Sequence, residues 1–119
     1  MSFDWTEYVY LAEELLLNGT GESCFRCSIS RAYYGAFCNA RDAKGCQDIA
    51  HDVHKRVIAL YENSDDTNEK LIGRTLKNLK KTRIDADYYK EKCLTKEHAE
   101  RSINRAKSIL DRMGIPYNP

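Results

Sequence analysis

Arg83, Asp87 and Tyr88 stand within two helical turns of one another in the stretch "LKKTRIDADYY". At about 3.6 residues per turn, Arg83 and Asp87 face each other one turn apart and can pair directly. Arg83 also continues an apolar stripe: Ile72, Leu76 and Leu79 recur every three or four residues, and the next positions are Arg83 and Ala86. A guanidinium withdrawn from water without a partner costs several kcal/mol. Arg83 therefore has two possible roles. It forms an ion pair with Asp87, with Asp85 also near, that finishes the helix. Alternatively it is a cation set to hold a phosphate or a developing negative charge. The preceding Lys77, Lys80 and Lys81 make a local basic patch, a pattern more often found as a solvated face.

A second concentration of chemistry lies in "SISRAYYGAFCNAR", residues 28–41. On a helix, Phe25, Ile29, Ala32, Ala36, Ala40 and Ala43 share one narrow stripe, with Tyr33 at its edge. Tyr34 points nearly opposite, flanked by Cys27, Arg31, Cys38 and Arg41. This second face is too apolar for plain solvent and too charged for plain core. It is either contacted by neighbouring helices while its arginines snorkel outward, or it is a ligand or dimer surface. Spacing leaves both open.

Other reactive residues carry less. Cys24 and Cys27 form a CxxC, but no second close pair completes a zinc site, and no strand precedes it as in a thioredoxin-type motif. Five cysteines, an odd number, argue against a disulfide framework, so the pair reads as small buried thiols. His51 and His54 open the third helix and His98 the fifth. With no third ligand in sight they read as surface or capping residues, and no metal or cofactor is expected.

The elements that must position these residues are five helices and no strands. They span about 2–17 (Ser2 as cap, stopped by "NGTG"), 22–44 (ended by Gly45), 50–64, 68–89 (capped by Asp65, Asp66 or Thr67) and 95–110. The third carries Val53, Val57 and Leu60 at helical spacing. In the fifth, Thr95 caps with His98 at the capping-box position, and the core stripe is Ala99, Ile103, Ala106 and Leu110. Short connections between long helices predict an all-α, antiparallel up-and-down bundle of four core helices plus a short one.

The 119 residues make one domain, and a net charge of +1 excludes a broad electrostatic appetite for nucleic acid. No apolar run approaches the ~20 residues needed to span a bilayer. The first ten residues lack the basic and apolar regions of a signal peptide, so a cytosolic location is expected.

Taken in order, "SRAYYGAFCNAR", "LKKTRIDADYY" and "TKEHAERSINRAKSIL" resemble the HEPN domain superfamily, and most of all its small stand-alone prokaryotic members. In those, a Ser-Arg-x-Tyr-Tyr stretch precedes an Arg-x-x-Ala-Asp-Tyr stretch. The likeness implies a single HEPN-like domain over residues 1–114, a short tail over 115–119, and homodimerisation. It further implies an RNA- or nucleotide-binding component of a toxin–antitoxin or defence-type pair with a small nucleotidyltransferase.

Nucleolytic members are metal-independent ribonucleases in which an arginine is followed a few residues on by a histidine, the two copies meeting across the dimer. Arg83 matches that arginine, whereas the following window holds Asp87, Tyr88, Tyr89 and Lys90 and no histidine. Metal-free cleavage needs a base for the 2′-hydroxyl and an acid for the leaving oxygen, both titrating near working pH. A tyrosine with its ordinary pKa of about 10 suits neither role. Tyr88 can instead position a phosphate or stack a base. The resemblance thus implies a ligand site of Arg83, Asp87 and Tyr88, with Arg31 and Tyr34 contributing from the same or the opposite subunit. Two other readings stand beside it: a ribonuclease working without the histidine, and a non-catalytic helical adaptor. Whether the chain is an enzyme stays open.

Overall fold

The structure, a computed structural model, describes residues 2–117. Its elements are α1 (Thr6–Asn18), α2 (Glu22–Ala43), α3 (Val53–Glu62), α4 (Thr67–Tyr88) and α5 (Lys96–Arg112), with no strand among the described residues. They form the expected up-and-down bundle. The central member is α2, which packs on α1, α5 and α4, while α3 rests mainly on α4.

The core follows the stripes read from the helical period. Ile29, Ala32, Ala36 and Ala40 of α2 meet Ile72, Leu76 and Leu79 of α4 and Ala99, Ile103, Ala106 and Leu110 of α5, all buried. Small residues on α2 let its neighbours come close. At Gly35 an added Cβ would sit 2.5 Å from Val9 Cγ2 and 3.2 Å from the Trp5 carbonyl oxygen, so the glycine fixes the approach of α1. Tyr33, expected at the stripe's margin, is wholly buried, whereas Ala43 at its far end is exposed.

Several ends behave as their residues dictate. Gly45 takes φ +67° just beyond α2, a left-handed conformation that glycine adopts without cost. The Asp66 carboxylate caps α4 by accepting from the amides of Asn68 and Glu69. At α5 the capping box closes with histidine in the usual glutamate place: Thr95 Oγ1 accepts from the His98 amide, and the Thr95 amide donates to His98 Nδ1 at 3.0 Å.

Two helix starts differ from expectation. The first begins at Thr6 rather than Ser2, because the Asp4 carboxylate already accepts from the Thr6 amide at 2.9 Å. The third begins at Val53, because Asp52 is left-handed at φ 54° and breaks the run, leaving His51 outside the helix and exposed. Its inward face is also turned: Val57, Ile58 and Tyr61 are buried and Leu60 is exposed.

A single arginine clamps α2 to the end of α4. Arg26 of α2 crosses to that end, where Nη1 donates to the carbonyls of Asp85 (3.2 Å), Ala86 (3.0 Å) and Tyr89 (3.1 Å). Its Nη2 reaches the Lys92 carbonyl, and its Nε donates to Glu22 Oε2 at 2.9 Å. Carbonyls at the helix C-terminus, of which those of Asp85 and Tyr89 also accept from the amides of Tyr89 and Lys92, are thereby capped by a cation, which also favours the negative end of the dipole. After α5, Ile115 and Tyr117 pack onto the core, and Tyr117 stacks on Tyr10 with ring centres 4.6 Å apart. Of the tail assigned to 115–119, residues 118 and 119 lie outside the described residues.

Candidate functional site

The last two turns of α4 lie against the middle of α2, and this contact brings all five expected site residues together. Arg83 is 6% exposed. Its Nη1 stands 3.5 Å from Asp87 Oδ2 and donates to the Tyr34 hydroxyl at 3.3 Å. The guanidinium carbon lies over three rings: Tyr33 at 5.1 Å, Tyr34 at 5.3 Å and Tyr88 at 5.9 Å. Such cation–π contacts offset part of the desolvation cost of a buried cation, about 0.5–2 kcal/mol each. They do not saturate its donors. Both polar contacts are long for charge-assisted bonds, and Nε is buried without any partner.

Asp87 is the rim of this cluster. The Ser30 hydroxyl donates to its Oδ2 at 3.3 Å, and Arg31 Nη2 donates to Ser30 Oγ at 3.4 Å. Ser30 thus bridges α2 to the acid, a role invisible in sequence because nothing distinguishes it from other helix serines. Arg31 lies over Tyr34 at 5.2 Å. Tyr88 is 70% exposed and open to solvent. On the α1 side of the cluster, Ser30, Arg31 and Asp87, with Arg26, form the polar wall of a groove of about 500 Å³ whose apolar side includes Leu11 and Leu15 of α1.

His54 is the residue that sequence reasoning missed. Expected at the surface, it is half-buried beneath the cluster, its ring stacked on Phe37 at 4.2 Å and its Nδ1 bonded to the Tyr33 hydroxyl at 2.7 Å. Burial, and then the nearby charges of Arg83, Lys80 and Arg41, hold its pKa down at about 4. Burial pushes the Tyr33 hydroxyl well above the usual tyrosine range. At neutral pH both are therefore uncharged. No local signal marks this pairing, because α3 supplies the histidine and α2 the tyrosine.

The cysteines differ from expectation as well. Cys27 is exposed and Cys24 half-buried, because the first turn of α2 rises clear of the core, whereas Cys38 and Cys46 are the buried thiols. All five are free, and among the described residues no cluster of His, Cys, Asp and Glu is placed to hold a metal ion. No helix of the described residues is long and apolar enough to cross a membrane.

The class of this all-α bundle comes from the comparison with known families. The HEPN domain model matches residues 25–115, which includes the Ser-Arg-x-Tyr-Tyr and Arg-x-x-Ala-Asp-Tyr stretches. The chain belongs to the HEPN family. No curated protein and no solved structure matches it.

Proposed function

We propose that this HEPN protein binds RNA or a nucleotide at the Arg83 cluster and works in the cytosol as a homodimer. Its expected place is a toxin–antitoxin or defence-type pair with a small nucleotidyltransferase. The observation that carries the reading is the unsaturated guanidinium: Arg83 is buried, its acid partner is 3.5 Å away, and its Nε has no acceptor. A guanidinium fork is shaped for a phosphate, and one entering between Asp87 and Tyr88 meets the Nη side of the guanidinium, whose contacts with Asp87 and Tyr34 are long. The exposed Tyr88 ring offers a face for a base. Arg31 and Tyr34 then line the approach from α2.

Binding accounts for the cluster better than cleavage does. The histidine beside Arg83 is His54, and with a pKa of about 4 it is a weak base and is almost wholly unprotonated at neutral pH. It is poorly matched to both proton transfers of metal-free RNA cleavage. The adaptor reading accounts for an Arg83–Asp87 pair at a helix end but not for the orphaned Nε.

Thermal-shift measurements with nucleotides and short RNA oligomers, on wild type and Arg83→Ala, test the reading. Stabilisation of the wild type that vanishes in the variant is expected; no stabilisation by any of them would leave the adaptor. Total RNA incubated with the protein should stay intact, and Arg83-dependent cleavage would make the chain a ribonuclease instead. Light scattering should report a dimer, and a strict monomer at high concentration counts against a site shared between subunits. A nucleotidyltransferase gene next to this one would support the pairing.

A further inference from the structure

Arg31 is half-buried, yet among the described residues it has no carboxylate partner. Its polar contact is the Ser30 hydroxyl at 3.4 Å, and its guanidinium lies over the rings of Tyr8 (4.8 Å) and Tyr34 (5.2 Å). The pattern continues in both directions. Past Tyr34 come Arg83 and the exposed Tyr88. Past Tyr8 come Trp5 at 5.7 Å and Phe3 at 5.2 Å, the latter 50% exposed, with Arg41 over Trp5 at 5.4 Å. Rings and guanidiniums therefore form one connected ladder from the start of α1, across α2, to the last turn of α4.

The acids bonded along this ladder are already engaged. Asp42 pairs with Arg41 at 2.9 Å and accepts from Trp5 Nε1 at 2.8 Å. Asp87 holds Arg83 and Ser30. Arg31 is the cation left over, at the ladder's centre. Packing of α1 on α2 explains the rings; it does not explain a half-buried cation without an acid among them. With a net charge of +1, the chain has no long-range pull on nucleic acid. Recognition must therefore come from short-range stacking and individual phosphate contacts.

We propose that this ladder is a track for single-stranded RNA: unpaired bases stack on Tyr8 and Tyr88, and Arg31 holds a phosphate between them. The strand is thereby led to the Arg83 cluster, so the proposal rests on the reading of that cluster as a ligand site. A duplex hides its base faces in its own stack and does not fit.

The test is fluorescence anisotropy with an oligoadenylate of about ten nucleotides, single-stranded or annealed to its complement, with AMP binding measured alongside. The single strand should bind and the duplex should not. Tyr8→Leu should weaken the single strand about tenfold, the worth of one base–aromatic stack, while Tyr8→Phe retains it and AMP binding is unchanged in both. Ultraviolet crosslinking of a thiouridine-substituted strand to the unaltered protein gives a reading free of folding effects, with adducts expected at Tyr8 or Trp5.

Equal binding of the duplex, wild-type affinity in Tyr8→Leu, or adducts confined to other surfaces would overturn the track. So would a dimer that Tyr8→Leu splits into monomers, since the rings would then belong to a second copy of the chain. The two levels separate cleanly. If AMP binds in an Arg83-dependent way while Tyr8 is silent, the track fails alone. If neither AMP nor the oligonucleotide binds the wild type, the reading of the cluster fails with it.

Discussion

Arg26 and Arg83 sit at opposite sides of the same contact between α2 and α4, and their surroundings could hardly differ more. Every nitrogen of Arg26 is engaged: the Asp85 and Ala86 carbonyls of α4 and that of Tyr89 just beyond it at 3.0–3.2 Å, the Lys92 carbonyl, and the Glu22 carboxylate. Arg83 has one acid at 3.5 Å, one hydroxyl at 3.3 Å, three rings and an orphaned Nε. The saturated guanidinium ties the end of α4 to the start of α2. The unsaturated one is where the ligand site is proposed. The two share a residue type and an interface and differ in their count of unmet donors, the difference on which the proposed site rests.

Breaking the saturated partner should cost the fold most. Arg26→Ala removes the cation that the carbonyls at the end of α4 share and releases the loop that leads into α5. The expected loss is about 2–3 kcal/mol, read as a lower midpoint in urea denaturation. A stability within experimental error of wild type would erase the contrast between the two arginines.

His54 gives the next largest effect. Its folded pKa of about 4 lies below the ordinary 6.5, so between those values the unfolded chain binds more protons than the folded one. Its contribution is fully present above pH 6.5 and is lost as pH falls toward 4. Allowing for its half-exposed position, the loss is about 2 kcal/mol. Glu22, Glu69 and Glu97, whose pKa values are lowered from 4.5, add their own losses only from about pH 4.5 downward, at the acid edge of that window. Denaturation at a series of pH values between 6.5 and about 5 should show the slope in wild type and a flat response in His54→Leu. NMR titration adds a link to Arg83: in Arg83→Met the His54 pKa should rise, yet stay below 6.5 because burial is the larger cause.

For the unsaturated arginine itself the expected signature is a split between stability and binding. Arg83→Met removes a cation that is costly to bury, so stability should stay within about 1 kcal/mol of wild type. Nucleotide or RNA binding should fall at least about tenfold. Loss of both together would mean that Arg83, like Arg26, is a structural clamp. Smallest of all, Ser30→Ala removes the bridge between Arg31 and Asp87 and should change stability by about 0.5–1 kcal/mol, with binding weakened about two- to threefold by anisotropy.

Much of this protein was legible before its fold was known, for reasons that are local. The stripes of α2, α4 and α5 follow from a period of 3.6, and those faces are buried. Asp66, Thr95 with His98, and Gly45 act where their chemistry says they should. Arg83 stood out because it broke a stripe, and its partner Asp87 was one turn away. Helix α3 was read least well. Ten residues give few turns to fix a face, and the left-handed Asp52 that sets its start leaves no mark in the hydrophobic pattern.

What the sequence determined by itself was the set of helices, the faces they bury, and the presence of a cation on one of those faces. Those depend on spacing along one chain segment and on caps a few residues away. Only the tertiary structure decided what that cation meets. It put Tyr34 and Ser30 of α2 beside the end of α4, set neutral His54 of α3 beneath Tyr33, and laid Tyr8 of α1 against Arg31. Each of these contacts joins residues far apart in the chain, and their geometry follows from how closely the helices pack. Whether a guanidinium is saturated or left wanting is settled by that packing, because its partners come from different helices.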